Sequence, residues 1–334
     1  MSTPLLKVSD LAVEFGPKAK PIRVVDGVNF EIAAGGTVGI VGESGSGKSI
    51  TSLSILRLIP EPPGRIASGR IEFNGVNLLD LPRSKMPEIR GRDIAMIFQE
   101  PMSSLNPVMT IGDQIGEAIM LHEAMSREQR RQKVIDMLKL VGMPDPASRI
   151  DSYPHQFSGG MRQRVMIAMA VACNPKLLIA DEPTTALDVT IQAQVLDLMK
   201  SIRTRLDTAI LLISHDLGII AEICERVIVM YAGRVLEDGD VHSIFRNPSH
   251  PYTQGLLQSI PRLKDERHRL FQIAGSVPQP GTLKQGCPFY ARCPKRIDKC
   301  ASQMPPMFKF GPQHKAACWV TAEATQAPVA ETVQ

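Results

Sequence analysis

Gly42-Glu43-Ser44-Gly45-Ser46-Gly47-Lys48-Ser49 is the stretch that decides the fold. It fits the phosphate-binding pattern G-x-x-x-x-G-K-[ST] at every specified position. An apolar run at residues 38–41 precedes it, and a helix-like stretch at residues 50–59 follows it. A strand, a glycine-rich loop and a helix in this order turn backbone N–H groups and a helix N-terminus toward an anion. The stretch therefore predicts a binding site for the phosphates of a nucleoside triphosphate.

Each residue type in this loop has a physical reason. The glycines let the backbone adopt positive φ and approach the phosphates closely. Lys48 reaches the β- and γ-phosphates, and the Ser49 hydroxyl ligates Mg²⁺. A glycine-rich surface turn beside a helix is the alternative, and the full match in its strand–loop–helix context favours the ATP site. The residues of the loop predicted to hold the nucleotide are Gly42, Ser44, Gly45, Ser46, Gly47, Lys48 and Ser49.

The bulk composition narrows the class of protein. Of the 334 residues, 43% are apolar, which allows a large α/β domain with an appendage or two medium domains. One Trp, four Tyr and a net charge of only +4 argue against a nucleic-acid platform. The N-terminus has no apolar segment like that of a signal peptide, and no apolar run approaches 18 residues. We expect a chain that neither spans a membrane nor is exported by this route.

Alternating hydrophobic patterns predict an α/β fold with a mostly parallel sheet covered by helices. The residues after about 250 are rich in Pro and Cys and show little periodicity. We expect a nucleotide-binding domain at residues 1–248, an extension at 249–321 and a disordered tail at 322–334. Strands are predicted at residues 5–15, 23–32, 37–41, 70–73, 94–98, 177–180 and 209–214, helices within 110–141 and at 191–206, and a hairpin at 227–236 that turns at Ala232-Gly233.

Two acidic residues follow the apolar strand at residues 177–180. Asp181, at the tip of the strand, can hold hydrated Mg²⁺ beside Ser49. Glu182 can polarise a water molecule for attack on the γ-phosphate. Two acids at the end of a strand could simply face solvent, but the phosphate-binding loop in the same chain favours the catalytic interpretation.

The segment Ser158-Gly159-Gly160-Met161-Arg162-Gln163-Arg164 opens a predicted helix. Alone it could be a helix cap and a turn. Together with the loop, the Asp181-Glu182 pair, Gln99 and His215, it resembles the signature of ATP-binding cassette (ABC) ATPases, over residues 5–245. The resemblance implies a P-loop ABC cassette with a RecA-like mixed sheet core, an N-terminal antiparallel β subdomain and a helical signature subdomain, followed here by a small Cys-rich extension.

The resemblance also implies roles for single residues. Phe15 would stack on adenine, Gln99 would touch Mg²⁺ or the attacking water, and His215 would hydrogen-bond the γ-phosphate. The signature residues Ser158, Gly159 and Gly160 would clamp the nucleotide held by a second ATPase subunit. Ala186-Leu187-Asp188 resembles the D-loop, which crosses between the subunits. Phe157 and Met161 depart from the commoner Leu and Gln.

Longer stretches resemble one branch of the family, the ATPase subunits of dipeptide and oligopeptide importers. This resemblance implies a second ATPase subunit, usually a different chain, two integral membrane permeases and an extracytoplasmic peptide-binding protein. It places the chain as a peripheral protein at the cytoplasmic face of the bacterial inner membrane. Nickel importers of the same branch stay an alternative. A soluble ABC ATPase acting on DNA or ribosomes is disfavoured, because the chain shows no long heptad run and no basic stripe. The stretches are residues 98–107, 153–164, 181–194 and 250–253.

Four cysteines near the end follow the spacing C-x₅-C-x₆-C-x₁₇-C: Cys287, Cys293, Cys300 and Cys318. Four thiolates match the ligand set of a [4Fe–4S] cluster, and the family resemblance favours that cofactor. Structural zinc and reduced, unliganded thiols stay open as alternatives. We expect His250 and His314, which lie in the same region, to be capping or solvated residues.

Overall fold

The computed structural model describes residues 3–99, 104–185, 188–260, 271–282, 285–326 and 328–329. Contacts between residues divide it into two units. The helical unit consists of the described residues within Met1–Pro4, Ile32–Gly36 and Asp80–Leu212. The P-loop unit consists of those within Leu5–Glu31, Thr37–Leu79 and Ile213–Gln334.

Most strands lie close to their predicted positions, but the fourth begins at Gly64, six residues before its predicted start. The strands at Val76–Asn77, Phe308–Gly311 and His314–Ala316 are not among those predicted. The strands are β1 (Leu6–Phe15), β2 (Ile22–Ile32), β3 (Thr37–Val41), β4 (Gly64–Phe73), β5 (Val76–Asn77), β6 (Ile94–Ile97), β7 (Leu177–Asp181), β8 (Ala209–Ser214), β9 (Arg226–Tyr231), β10 (Arg234–Asp240), β11 (Phe308–Gly311) and β12 (His314–Ala316).

The helices differ widely in length. They are α1 (Lys48–Ile55), α2 (Met86–Ile89), α3 (Ile111–Met120), α4 (Arg127–Leu140), α5 (Pro146–Arg149), α6 (Gly159–Val171), α7 (Val189–Leu206), α8 (Leu217–Ile223), α9 (Val241–Arg246), α10 (Pro251–Gln258), α11 (Asp298–Ser302) and α12 (Trp319–Thr325). Single 3₁₀ turns occur at Arg83–Lys85, Pro154–Gln156 and Tyr290–Arg292.

Two sets of strands build the P-loop unit. One is a sheet in the order β2-β1-β4-β5, in which β1 and β4 pair antiparallel, as do β4 and β5. The other set follows the order β11-β12-β10-β9-β3, and β3 pairs parallel with β9. Every residue of β3 is buried, which explains why its sequence is a continuous apolar run without alternation. The predicted hairpin is confirmed, since Tyr231 pairs with Arg234 across the Ala232-Gly233 turn.

In the helical unit, β6 pairs parallel with β7. Helix α3 buries Ile111, Ile115 and Ile119, which recur every four residues and so share one face. Thr110 caps this helix by accepting a hydrogen bond from the Asp113 N–H. The parallel pairs of the two units and the intervening helices confirm the predicted α/β fold.

The C-terminal strands β11 and β12 extend the hairpin of β9 and β10. Strand β12 pairs antiparallel with β10, so that His314 lies opposite Gly239. Low periodicity predicts that this segment lacks a core of its own, and its aromatic side chains instead pack against Tyr231 of β9. Residues 322–325, placed by their composition in the disordered tail, form the end of α12.

Among the described residues, none of the helices combines the length and the apolar character that crossing a membrane requires.

Candidate active site

The glycine-rich loop begins directly after β3, at Gly42, where the backbone is closely packed. A Cβ at Gly42 would lie 2.2 Å from the carbonyl oxygen of Met230, so no larger residue fits without moving backbone. Gly47 has φ of +97° and forms the N-cap of α1. Both positions require glycine for reasons that the packing makes explicit. The loop is therefore a rigid turn between a buried strand and a helix.

Lys48, the first residue of α1, folds its side chain back onto the loop. The side chain is buried, and its ammonium nitrogen Nζ donates to the carbonyl oxygens of Gly42 at 2.7 Å and Glu43 at 3.2 Å. No side chain of the described residues caps α1, and its first turn has no acidic residue. The buried Ser46 hydroxyl also has no hydrogen-bond partner among the described residues. A buried cation and a helix start without a capping side chain suit the phosphates of a nucleotide.

In the helical unit, β7 ends at the buried Asp181, and Glu182 follows it with φ of +47°. Positive φ is uncommon for a residue other than glycine and concentrates at functional sites. The Glu182 oxygen Oε2 accepts a hydrogen bond from Gln99 Nε2 at 3.1 Å and from the Thr185 hydroxyl at 2.9 Å. The structure thus brings two predicted catalytic residues, Gln99 and Glu182, into contact and adds Thr185 to them.

The Ser158 segment begins helix α6. The Ser158 hydroxyl accepts a long hydrogen bond, 3.4 Å, from the N–H of Met161, and both Ser158 and Gly159 are exposed. At Gly160 a Cβ would lie 2.9 Å from Ile191, a residue of α7, so the small residue allows the two helix starts to approach. The first two residues of the predicted signature are therefore presented on the surface of the helical unit.

Helix α6 also contacts the loop that follows β7. The buried Gln163 donates from Nε2 to the carbonyl oxygen of Pro183 at 2.5 Å. Neither Gln163 nor Thr185 is among the predicted site residues, because an uncharged polar side chain by itself predicts no role in a site. Asp188 caps α7 by accepting from the N–H of Ile191 at 2.9 Å, while Ala186 and Leu187 of the predicted D-loop lie outside the described residues.

The remaining predicted nucleotide contacts lie in the P-loop unit. Phe15 of β1 pairs with Gly64 of β4. A Cβ at Gly64 would lie 2.9 Å from the ring of Phe15. His215 is exposed between β8 and α8, where Asp216 caps the helix. Ser44 and Gly45 are exposed on the loop, and Ser49 is half-buried. The contacts of Phe15 with adenine and of His215 with the γ-phosphate stay predictions.

The predicted [4Fe–4S] cluster is wrong, and so is the alternative of structural zinc. Among the described residues, no group of three or more His, Cys, Asp or Glu is arranged to hold a metal ion. Burial raises the pKa of the Cys287 thiol to about 12 and also raises the pKa of Cys293. A thiol ligand must be deprotonated, and burial in apolar surroundings favours the neutral form. The spacing of the four cysteines resembles a ligand set, but the structure places Cys287 and Cys293 as half-buried thiols and Cys300 and Cys318 as buried ones.

The two histidines of this region are structural. His250 caps α10 by accepting from the N–H of Tyr252 at Nδ1, which confirms the capping prediction. Burial lowers the pKa of His250 to about 3, so the imidazole is neutral. His314 is not solvated; it is buried, with Nε2 at 2.7 Å from Oε1 of the buried Glu237.

A phosphate-binding loop after a buried strand, and an acid pair after a parallel strand, define a P-loop ATPase. Residues 25–185 match the family described as ABC transporter, and residues 236–300 match the oligopeptide/dipeptide transporter C-terminal region. The chain is 51% identical to a probable peptide ABC transporter ATP-binding protein of Sinorhizobium fredii, over 96% of each chain. It is 49% identical to the dipeptide transport ATP-binding protein DppD of Escherichia coli, over 94% of this chain and 96% of that one.

A solved structure has the same cassette fold. The ATP-binding cassette MJ0796, in a dimeric post-hydrolysis state with ADP and Pi, covers 71% of this chain and 98% of its own, with 28% identity and a TM-score of 0.63. The chain belongs to the ABC transporter family, as an ATP-hydrolysing subunit with an oligopeptide/dipeptide transporter C-terminal region.

Proposed function

We propose that this chain energises the import of dipeptides or oligopeptides by hydrolysing ATP. The observation that carries the proposal is the match of residues 236–300 to the oligopeptide/dipeptide transporter C-terminal region, in the same chain as the nucleotide-binding loop. The relatives named above are transport ATP-binding proteins, and they match nearly the whole chain. These similarities favour peptides over nickel, and transport over action on DNA or ribosomes.

In the proposed reaction the P-loop unit binds the phosphates. Lys48 exchanges its hydrogen bonds to the carbonyl oxygens of Gly42 and Glu43 for the nucleotide, and the N–H groups at the start of α1 face the anion. Ser49, Asp181 and Gln99 are the residues proposed to bind Mg²⁺, and the ion would neutralise phosphate charge.

Glu182 is the proposed base for the attacking water. Its carboxylate is oriented by Gln99 and Thr185, so the oxygen that accepts the proton is held in one direction. General-base assistance contributes about 10²–10⁴-fold to a rate. His215 is proposed to hydrogen-bond the γ-phosphate, and Phe15 to stack on adenine.

A second ATPase subunit is proposed to share the site. The exposure of Ser158, Gly159 and Asp188 supports this assignment, because these side chains and N–H groups are available to another molecule. Each subunit would then bind its own ATP and clamp the nucleotide of its neighbour. The isolated chain should hydrolyse ATP slowly, and the rate should rise when the second ATPase subunit is added.

The complete transporter is proposed to contain this chain, a second and different ATPase subunit, two integral membrane permeases and an extracytoplasmic peptide-binding protein. The chain would lie at the cytoplasmic face of the bacterial inner membrane as a peripheral protein. Within the chain, residues 1–248 would form the cassette and 249–321 the extension that distinguishes this branch.

Uptake by proteoliposomes tests the proposal. The vesicles contain this chain with the permeases and second ATPase that co-purify with it, ATP is supplied on the ATPase side, and the binding protein is added on the other. We expect ATP-driven accumulation of a labelled dipeptide or oligopeptide. Lys48→Ala should abolish it, whereas Lys139→Ala, a change on the exposed side of α4, should not.

Two results would overturn the proposal in different ways. Accumulation of Ni²⁺ with no uptake of either peptide would assign another substrate. Co-purification with ribosomes or DNA, and with no permease, would remove the transport function.

A further inference from the structure

The second residue of the phosphate-binding loop is held by the C-terminal part of the chain. The backbone N–H of Glu43 donates to the Tyr252 hydroxyl at 2.9 Å, across 209 positions of sequence. The Glu43 oxygen Oε2 accepts from Arg292 Nη1 at 2.8 Å, across 249 positions. Glu43 is thus fixed through its backbone and its side chain by two residues that follow the cassette core.

Arg292 is the rigid member of this ion pair. Its side chain is 7% exposed, against 28% for Glu43. Its Nε and Nη2 donate to the carbonyl oxygens of Ala274 at 2.9 Å and Ile273 at 3.0 Å. The guanidinium group is therefore already oriented by other bonds, and it imposes its position on the Glu43 carboxylate.

An aromatic cluster supports the guanidinium. Tyr231, Tyr252 and Phe289 are fully buried, and their ring centroids are 4.7–5.3 Å apart. The Arg292 guanidinium carbon lies 5.7 Å from the ring centroid of Tyr231 and 6.0 Å from that of Phe289, and Nη1 also donates to the Tyr231 hydroxyl at 3.3 Å. Tyr231 belongs to β9, where the neighbouring Met230 contacts Gly42 of the loop. Extension, strand and loop therefore share one packed cluster.

The ion pair has an electrostatic consequence for nucleotide binding. Glu43 carries a negative charge in the loop that must accept the phosphates of ATP. An uncompensated carboxylate there would repel the substrate, and the Arg292 guanidinium bonded to the Glu43 carboxylate offsets its charge. The carbonyl oxygen of Glu43 also accepts from Lys48 Nζ, so the orientation of Glu43 affects the lysine as well.

We infer that Arg292 is a positioning residue of the ATP site, which neutralises Glu43 and holds the phosphate-binding loop in its receptive conformation. The C-terminal extension thereby sets the affinity of the cassette for ATP. The inference rests on the proposed ATP-binding role of the loop. It assigns to the extension an action on the cassette of its own chain, in addition to any contact with other subunits.

The test compares the binding of a fluorescent ATP analogue with Mg²⁺ to the full-length chain and four variants. Arg292→Gln leaves Glu43 charged and should weaken binding about 5- to 20-fold, which is the lower part of the usual range of coupling between sites. The double variant Arg292→Gln with Glu43→Gln removes both charges, and its affinity should return to within about threefold of the wild type. Arg296→Gln is the matched control, because Arg296 packs on Tyr290 and donates to the Ala291 carbonyl oxygen.

Recovery in the double variant separates positioning from a structural role. If Arg292 only stabilised the fold, the double variant would bind ATP no better than Arg292→Gln, and that result would overturn the inference. Unchanged affinity in a folded Arg292→Gln variant would overturn it too. If that variant does not fold, Arg292→Lys, which keeps the charge and loses the planar fork, is used instead. It should bind at least threefold more weakly than the wild type, and wild-type affinity would count against the inference.

Lys48→Ala distinguishes failure of this inference from failure of the proposed function. If the wild type does not bind the analogue, the proposed ATP site is wrong. If the wild type binds, Lys48→Ala does not and Arg292→Gln binds normally, only the role of Arg292 is wrong. In the assembled complex, Arg292→Gln should raise the KM for ATP with little change in kcat, since Arg292 acts on the loop and not on Glu182.

Discussion

The phosphate-binding loop and the Ser158 segment are proposed to serve the same reaction, and the structure holds them in opposite ways. In the loop, Gly42 is closely packed against β9, Lys48 donates to the carbonyl oxygens of the loop, and Glu43 is fixed by Tyr252 and Arg292. The Ser158 segment is exposed and ordered by its own helix caps, and Val189, at the start of α7 beside the capping Asp188, is 83% exposed. The first region is pre-organised for a ligand within the chain. The second presents a surface that another molecule can complete.

This difference suggests a division of labour that mutation can test. Changes in the P-loop unit should alter nucleotide binding, whereas changes around Glu182 in the helical unit should alter turnover. A variant of the P-loop unit that lowers turnover and leaves nucleotide binding unchanged would contradict this division, as would a variant near Glu182 that weakens nucleotide binding and leaves turnover unchanged.

The largest effect is expected at Glu182. In the assembled complex, Glu182→Gln should lower kcat by about 10²–10⁴-fold and leave ATP affinity near the wild-type value, because the base is lost and the phosphate contacts are not. Steady-state ATPase assays and nucleotide titrations measure both quantities. Glu128→Gln, on an exposed position of α4, serves as the control and should hydrolyse ATP normally. Near-normal kcat in Glu182→Gln would remove the proposed base.

Gly42→Ala should have the next largest effect, and this effect should be on the binding of ATP. The added Cβ would meet the Met230 carbonyl oxygen at 2.2 Å, so loop and strand must separate. We expect a loss of about 1–3 kcal/mol in the free energy of unfolding and at least tenfold weaker ATP binding. Gly116→Ala is the control, since its Cβ would make only ordinary contacts with Arg130 at 3.6 Å. Equal ATP affinities of the two variants would show that the loop is less rigid than its packing indicates.

Thr185→Val sharpens the comparison within the helical unit. The change keeps the side-chain shape and removes the hydroxyl that donates to Glu182 at 2.9 Å. We expect about a tenfold lower kcat with an unchanged KM for ATP, since hydrogen bonds to charged groups contribute about 1.5–3 kcal/mol. Thr204→Val, near the end of α7, removes an exposed hydroxyl bond to the Lys200 carbonyl oxygen and should leave kcat unchanged. A raised KM in place of a lowered kcat would contradict the assignment.

The smallest effect concerns pH and the buried His250. Burial lowers its folded pKa from 6.5 to about 3, so the unfolded chain binds the proton more readily. Its contribution to stability is full above about pH 6.5 and is lost as the pH falls toward 3. At pH 5 the loss is about 2 kcal/mol relative to pH 7.5. His250→Asn retains a capping oxygen and does not titrate, so it should lose less stability over this interval.

Urea denaturation of both proteins at the two pH values measures this difference. Glu237 and His314 are titratable neighbours of the same region and are common to both proteins, so the comparison isolates His250. An equal loss of stability in the wild type and the variant would assign the pH dependence to other groups.

Contiguous motifs were the part of the molecule that sequence reasoning predicted well. A buried strand, the glycines of residues 42–47 and a helix follow one another within one short segment, so local backbone geometry determines their arrangement. The hairpin at Ala232-Gly233 was predicted for the same reason, since a two-residue turn needs only local conformational freedom. The roles of Phe15, His215 and Ser158 toward the nucleotide stay predictions.

Contacts between residues that are far apart in the sequence could not be predicted from the sequence. The spacing of Cys287 and Cys293 says nothing about desolvation, and desolvation is what raises the pKa of their thiols. The pairing of Arg292 with Glu43 spans 249 positions, and neither residue is part of a pattern that points to the other. Thr185 and Gln163 are ordinary polar residues whose partners appear only in three dimensions.

Glu237 has a consequence for how such chains can be divided. This fully buried acid lies on β10, yet its carboxylate bonds to the imidazole of His314 and to the N–H groups of Ser249 and His250. Truncation before β12 would remove the His314 imidazole and leave a hydrogen bond of the buried Glu237 carboxylate unmade, which costs about 1–3 kcal/mol. The C-terminal extension is therefore not an interchangeable module, and a graft between relatives would have to carry the acid and the histidine together.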